Sequence, residues 1–269
     1  MKQKVPLIDI LSRKYPQKDR NGCYSTIMCG EVKVNGECVR DPKRLVSTDV
    51  NILISEPKLA SRAGYKLFYA LQNFHESIAG KVVLDAGASA GGFTDCLLRF
   101  GVRHVHSVDI AKGILKHHLR QDARTTIYEN TNIMHLTNND LNPKPNFSVC
   151  DLSFRSLRGA ARRLCELTSE KWLIALIKPQ FEFNKNTITN KFNGLLSNLD
   201  DMMLVISELD CDLRKEGVQI EKYLPAHIKG RKGNQEIIGL ISLRGVNRFD
   251  KQKDYIDLKN LRSQLRKIM

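Results

Sequence analysis

The sequence predicts an α/β protein, a largely parallel sheet with helices on both faces, preceded by a small α+β unit. Three observations predict it. Between residues 82 and 245, short and nearly continuous apolar runs alternate with helical patterns, as buried parallel strands and their crossover helices do. The stretch VVLDAGASAGGFTDCLLRFG, residues 82–101, passes from an apolar run through small residues and glycines into an apolar-periodic segment, which reads as strand, tight loop and helix. The first 50 residues follow another pattern, two short helical pieces and a hairpin, too small for chemistry of their own and suited to docking.

In chain order, LIDILSRKY (7–15) and CYSTIMCG (23–30) are helical pieces. In EVKVNGECVR (31–40), Val32 and Val34 alternate with polar residues before Asn35-Gly36, a strong hairpin signal. DVNILI (49–54) closes this unit as a strand, so a first domain spans 1–54 and the proline-containing SEPKLA (55–60) is a linker. From residue 61, SRAGYKLFYALQNF is a helix with Leu67, Phe68, Leu71 and Phe74 on one apolar face. Apolar runs then recur within 103–110, 124–132, 146–154, 171–182, 218–226 and 234–245, with a helical segment at 198–216. The second domain therefore spans 61–245, followed by a basic tail, 246–269, whose Leu258, Leu261, Leu265 and Ile268 stand at helical spacing.

The formal net charge of +14 is spread over the whole chain, which favours a polyanionic partner such as nucleic acid over a small acidic metabolite. The seven cysteines form no C-x-x-C pair and are odd in number, so neither a zinc site nor a disulfide framework is indicated, and no metal is expected. They read as reduced thiols of a soluble cytoplasmic protein. The N-terminus lacks the apolar core of a signal peptide, and no stretch reaches the roughly 18 apolar residues of a membrane helix.

What the loop at 85–92 holds is narrowed by elimination. A phosphate-binding P-loop ends in Gly-Lys-Ser/Thr, whereas this helix opens Gly91-Gly92-Phe93-Thr94. A dinucleotide fingerprint requires a glycine where Ser89 stands. The remaining pattern, Asp85-x-Gly87-x-x-x-Gly91-Gly92, resembles the S-adenosylmethionine loop of Rossmann-like methyltransferases, whose cofactor has no phosphates to cradle and carries an ammonium that suits an acid. Asp109 ends the next strand, where an acid accepts hydrogen bonds from ribose hydroxyls.

The acceptor is set at the carboxyl edge of the sheet. Asp151 and Lys178 each end an apolar run there, and Glu236 joins them if its strand runs antiparallel. Asp151-Leu-Ser-Phe is not the Asn/Asp-Pro-Pro-aromatic motif that grips an exocyclic base nitrogen. Cys150 and Cys165 lie in apolar patterns and read as buried thiols rather than nucleophiles.

Lys66, Asp151, Lys178 and Glu236 resemble the Lys-Asp-Lys-Glu tetrad of the FtsJ-like ribose 2′-O-methyltransferases. With SRAGYKL, GASAGGFTDCLL, VDI, LRQD, DLSF, KPQFE and IKGRKGNQE, the chain over roughly 1–244 resembles the TlyA, or haemolysin A, family. The resemblance implies a Rossmann-like methyltransferase sheet behind an RNA-binding domain with the fold of ribosomal small-subunit protein four. It implies S-adenosylmethionine as cofactor, ribosomal RNA or ribosomal subunits as partner, and 2′-O-methylation of cytidine. The implied catalytic residues are the tetrad. The implied cofactor residues are Asp85, Gly87, Ala88, Ser89, Gly91, Gly92, Phe93, Asp109, Ile110, Asn132 and Asp151. Implied RNA contacts are Arg20, Lys33, Arg40, Lys43, Arg62, Lys229, Arg231 and Lys232. Two departures stand out: Ala63 replaces a glycine of the family's Ser-Arg-Gly-Gly, and the glycine-rich loop after KPQFE is replaced by FNKNTITNKFNGLLSN.

Because a sulfonium already donates methyl readily, the enzyme's task is to align the ribose oxygen and remove its proton. Lys178 is the candidate to take or steer it, in balance with the other three charges. The alternatives are a haemolysin-like membrane-active protein, with the amphipathic tail as its best segment, and a catalytically silent RNA-binding protein.

Overall fold

The computed structural model describes every residue except 1–3, 17–19, 21, 22, 24, 25, 28, 29, 56–58, 154, 184–193 and 246–257. Half of the second helical piece, the middle of the expected linker, most of the substituted loop after KPQFE and the start of the tail lie outside the described residues.

The small unit begins with β1 (Lys4–Pro6), which runs into α1 (Leu7–Lys14). A hairpin, β2 (Val32–Val34) and β3 (Glu37–Val39), turns on Asn35 and Gly36, both at positive φ as a two-residue loop of this kind requires. β4 (Leu45–Ser47) pairs antiparallel with β1, and β5 (Ile52–Ile54) pairs antiparallel with β2. Leu7, Leu11, Ile27, Val32 and Ile52 form its own small core. The β1–β4 pair had no signal in the sequence, since three-residue strands are too short for alternation to register.

Leu59 and Ala60, at the end of the expected linker, are buried in the core of the larger unit, and Ala60 N–H donates to Asp95 Oδ2 at 2.6 Å. There follow α2 (Arg62–Phe74), β6 (Val82–Ala86), α3 (Gly92–Arg99), β7 (His104–Val108), α4 (His117–Arg120), β8 (Thr125–Tyr128) and β9 (Phe147–Cys150). Next come α5 (Ala160–Glu166), β10 (Trp172–Ile177), α6 (Pro179–Glu182), α7 (Leu199–Lys215), β11 (Val218–Pro225), β12 (Ile237–Leu243) and α8 (Leu258–Ile268).

The seven-stranded sheet has the order β11-β12-β10-β9-β6-β7-β8. β6 to β10 are mutually parallel, and β12 runs antiparallel to both its neighbours. Every residue of β6 and β10 is buried, as expected where helices cover both faces. One face packs Val83, Val105 and Ile174 against Leu67, Leu71 and Leu97 of α2 and α3. The other packs Leu84, Cys150 and Leu173 against Leu164, Val205 and Leu209 of α5 and α7. Strand order reverses between β6, flanked by β7, and β9, which opens a crevice beyond their carboxyl ends.

One sequence expectation changes. Phe68 does not share the buried face of α2 and is 39% exposed, whereas Lys66 is buried at 7%. The tail helix α8 packs on α7 and β11 and buries Leu261 and Leu265 completely, so the middle of its apolar stripe is occupied within the fold, while Ile268 at its end is 44% exposed. No described helix is long and apolar enough to cross a membrane.

The approach of α2 to α3 depends on two glycines. A Cβ on Gly92 would stand 2.1 Å from Ser61 Oγ and 2.8 Å from the Gly64 nitrogen, and one on Gly64 would stand 2.5 Å from the Gly92 carbonyl oxygen. Gly92→Ala therefore forces the helices apart. It is expected to cost about 1–3 kcal/mol, read as a lower urea midpoint at unchanged slope; an unchanged midpoint would show that the interface can shift freely.

Candidate active site

The geometry of the sheet brings the charged ends of three strands to one edge, where a helix meets them. Asp151 follows β9, and its N–H donates to the Ala86 carbonyl at 3.0 Å, which places it beside the β6 loop. Lys178 follows β10. Because β12 runs antiparallel with Ile237 opposite Ile177, Glu236 lies next to Lys178 at that same edge. Lys66 reaches it from α2.

The tetrad is arranged as two ion pairs. Lys178 Nζ forms an ion pair with Asp151 Oδ1 at 2.7 Å, while its hydrogen bonds go to the Leu152 carbonyl at 2.9 Å and to Ser153 Oγ at 3.2 Å. Lys66 Nζ pairs with Glu236 Oε2, with side-chain exposures of 9% and 5%. The Lys66–Glu236 pair is thus withdrawn from water, whereas Asp151 opens onto a cavity.

That cavity, about 520 Å³, lies at the switch point of the sheet. Of the expected cofactor residues, Gly87, Ser89, Asp109, Ile110, Asn132 and Asp151 line it. Asp109 accepts from Ser89 N–H and Ala111 N–H, both at 2.8 Å, which holds the loop after β6 against the loop after β7. Gly87 lets the backbones close in: a Cβ there would lie 2.8 Å from the Asp151 carbonyl oxygen.

The other five expected cofactor residues do not line this cavity. Gly91 abuts Leu115 and Leu119, Gly92 faces α2, and Ala88 and Phe93 are buried at 6% and 4%. Asp85 is wholly buried beneath the loop, accepting from Thr94 Oγ1 at 2.6 Å. Its Oδ1 has no hydrogen-bond partner among the described residues. Burial pushes the Asp85 carboxyl up to about 7; Thr94 opposes this, and the charges of Asp151 and Asp109 add to it.

Arg155, Thr131 and Ser153 line the cavity without having been foreseen, because an exposed polar residue in a loop has no periodicity to mark it. Glu182 is another. Buried at 2%, it accepts from Ser156 Oγ, from Leu157 N–H at 2.9 Å and from Arg158 Nη1 at 3.1 Å, pinning the loop that carries Asp151. Its place at the end of KPQFE was the available signal. Burial raises the Cys150 thiol to about 12, which leaves it inert. Among the described residues, no group of three or more His, Cys, Asp or Glu could hold a metal ion.

The expected RNA contacts fall into two groups. Arg20, Lys33, Arg40 and Lys43 are exposed on the small unit, Arg20 being paired with Asp9 at 2.8 Å. Arg62 opens α2, half-buried, while Lys229, Arg231 and Lys232 sit on the turn between β11 and β12, the first half-buried and the others exposed.

A parallel sheet closed by an antiparallel β12, a crevice at its switch point and a Lys-Asp-Lys-Glu group at the rim define the class of FtsJ-like methyltransferases. The model of that name, FtsJ-like methyltransferase, matches residues 59–238, and the S4 domain model matches residues 5–52. The chain belongs to the FtsJ-like methyltransferase family, and within it to the TlyA/hemolysin A relatives. It is 32% identical to "Hemolysin A" of Brachyspira hyodysenteriae over 231 residues, 82% of this chain and 92% of the relative. It is 35% identical to the "16S/23S rRNA (cytidine-2'-O)-methyltransferase TlyA" of Mycobacterium tuberculosis over 182 residues, 66% of this chain and 68% of that one. A solved structure from Streptococcus thermophilus, described as a candidate hemolysin, superposes with a TM-score of 0.72 at 26% identity, covering 99% of this chain and 97% of the other.

Proposed function

We propose that this methyltransferase transfers the methyl group of S-adenosylmethionine to a ribose 2′-oxygen of ribosomal RNA, on cytidine, in the cytoplasm. The observation that carries this reading is the Lys178–Asp151 pair at the mouth of an acid-lined cavity, with Lys66–Glu236 buried on the same sheet edge. The activity for which the M. tuberculosis relative is named supports the choice of cytidine and of ribosomal RNA. The small unit, 1–54, would position the RNA through its basic surface, since phosphate contacts fix register.

The cavity suits this cofactor on chemical grounds. S-adenosylmethionine, when bound, supplies an activated methyl group on a cationic sulfur. Asp109 and Asp151 line the cavity and Asp85, with an unpartnered Oδ1, lies beneath it, so three carboxylates surround a ligand of net positive charge. Asp109 would accept from the ribose hydroxyls, and Ile110 and Ile114 would cover the base. On the acceptor side, Lys178 orients the ribose hydroxyl and, as a neutral amine, takes its proton as the oxygen gains the methyl group; Asp151 then holds the ammonium so formed, and Lys66 with Glu236 sets the field around it. Mapping by alkaline hydrolysis tests the reading. A 2′-O-methyl group removes the nucleophile of RNA cleavage, so treated ribosomal RNA should show a gap in the ladder; a methylated product without one overturns it.

Two results are expected at the cofactor cavity. Asp109→Ala removes a ribose acceptor and the tie between the two loops, and S-adenosylmethionine affinity should fall about tenfold to a hundredfold, ~1.5–3 kcal/mol. Affinity unchanged in a folded variant would exclude this assignment.

The second result concerns pH. A cationic ligand favours ionised Asp85, so binding lowers a carboxyl that titrates at about 7 in the free protein and releases its proton. Affinity should therefore rise as pH increases from 6 to 8 and level off above, with Asp85→Asn flattening the profile. Calorimetry in buffers of different ionisation enthalpy counts the proton, and a flat wild-type profile would show that Asp85 is uncoupled.

A further inference from the structure

A second cavity, about 870 Å³, lies along α2, and none of the tetrad residues lines it. Tyr65, Phe68, Tyr69 and Gln72 present one helical face to it, Arg99 and Phe100 close one side, and Arg40 of the small unit and His227 close the other. The volume falls within the range of about 300–1,000 Å³ usual for ligand pockets.

Its walls are flat and aromatic. Phe68 meets Phe100 edge-on with ring centroids 5.4 Å apart, and Tyr69 lies against His227 at 4.6 Å. Phe68 is 39% exposed on a helix whose other large apolar side chains are mostly buried, so its ring is available to a partner. The rim is cationic: Arg40 folds over Gly30, where a Cβ would lie 2.6 Å from its Cζ, and Arg99 leans on Asp95 with its side chain 53% exposed.

The cavity also adjoins the chemistry. Tyr65 precedes Lys66 on α2, and the Lys66 charge reaches His227, whose imidazole is held down to about 4 mainly by burial and then by Lys66 and Arg40. His227 is therefore uncharged at neutral pH, so that wall is an aromatic surface and not a cation.

Aromatic faces with arginines at the rim recognise unpaired bases, each ring stacking a base while the cations meet the flanking phosphates. We propose that this cavity is an RNA subsite that takes an unpaired base of the substrate strand, other than the methylated nucleotide, against Phe68, Phe100 and Tyr69, with Arg40 and Arg99 on the adjoining phosphates. The inference rests on RNA being the substrate. It adds that the strand is held by a base as well as by its charge, next to the helix that carries Lys66.

The test is fluorescence anisotropy with the full chain and two probes at one salt concentration, a ten-nucleotide single-stranded cytidine RNA and an abasic ribose-phosphate oligomer of equal length. The cytidine oligomer should bind about tenfold more tightly or better. Phe68→Leu keeps apolar volume but loses the flat ring and should erase that advantage, whereas Phe68→Tyr should keep it, and both variants should titrate S-adenosylmethionine like wild type. Equal affinity for the two probes, binding of neither, or an unaltered Phe68→Leu variant overturns the subsite. So does cytidine monophosphate binding as tightly as the oligomer, which would make this a free-nucleotide site. The ladder gap on ribosomal RNA reads the methylation proposal separately: a gap with an unaltered Phe68→Leu variant removes the subsite alone, and no gap removes the proposed reaction.

Discussion

Lys178→Ala is expected to abolish methyl transfer while S-adenosylmethionine affinity changes little, because in the proposed reaction Lys178 serves the acceptor and it does not line the cofactor cavity. General-base assistance is worth about 10²–10⁴ in rate, and the alanine variant loses that together with the orientation of the hydroxyl. Lys178→Arg is the sharper test. A guanidinium can still pair with Asp151, so geometry is largely kept, but it stays protonated and cannot accept a proton. Single-turnover rates with saturating cofactor separate the two roles. If the arginine variant turns over near the wild-type rate, Lys178 is an electrostatic positioner and the proton leaves by another route.

The second large effect is expected at Lys66 and Glu236. Both side chains are almost wholly withdrawn from water, so their mutual attraction must offset the desolvation of two charges. Glu236→Leu leaves an ammonium buried with nothing opposite, which should cost about 3–5 kcal/mol of stability. The joint variant Lys66→Met with Glu236→Leu removes both charges and fills similar volume. It should recover most of that loss in urea denaturation while methyl transfer stays absent. Recovery of activity along with stability would show that the pair only supports the fold. A small effect of Glu236→Leu alone would mean that Lys66 finds water or another partner.

The sequence reading and the structure agree where the pattern is dense. The apolar runs that became β6, β7, β9, β10 and β12 are continuous because both faces of the sheet are covered, and that leaves a signal in composition alone. The hairpin at Asn35-Gly36 was legible for a local reason, since few dipeptides adopt two successive positive-φ conformations. The short β1 and β4 carried no comparable pattern. Phe68 matched the apolar spacing of α2 yet faces a cavity, because periodicity assigns a face to a helix and cannot say where its neighbours end.

The site divides along the same line. Asp109, Asp151, Lys178 and Glu236 could be chosen from sequence because each interrupts an apolar run at a strand end, and the direction of the sheet then brings strand ends together. Gly91, Gly92 and Phe93 belong to the same motif as Gly87, but Gly91 abuts α4, Gly92 abuts α2 and Phe93 is buried in the core, so none of them lines the crevice. Asp85, expected among the cofactor residues, is a wholly buried carboxyl under the loop and does not line the crevice.

By itself, then, the sequence determined the α/β class, the strand–loop–helix at 82–101, the strand-end positions of Asp109, Asp151, Lys178 and Glu236 and the family resemblance, all of which depend on local pattern or on motifs that travel together. Only the tertiary structure decided that Lys66 pairs with Glu236, 170 positions away, while Lys178 pairs with Asp151, and that Arg40 of the small unit borders a cavity on α2. Partner choice among like charges depends on distances of a few ångströms across elements remote in the chain, and on how far each group is withdrawn from water. Neither quantity has a period or a spacing, so no local pattern could carry it.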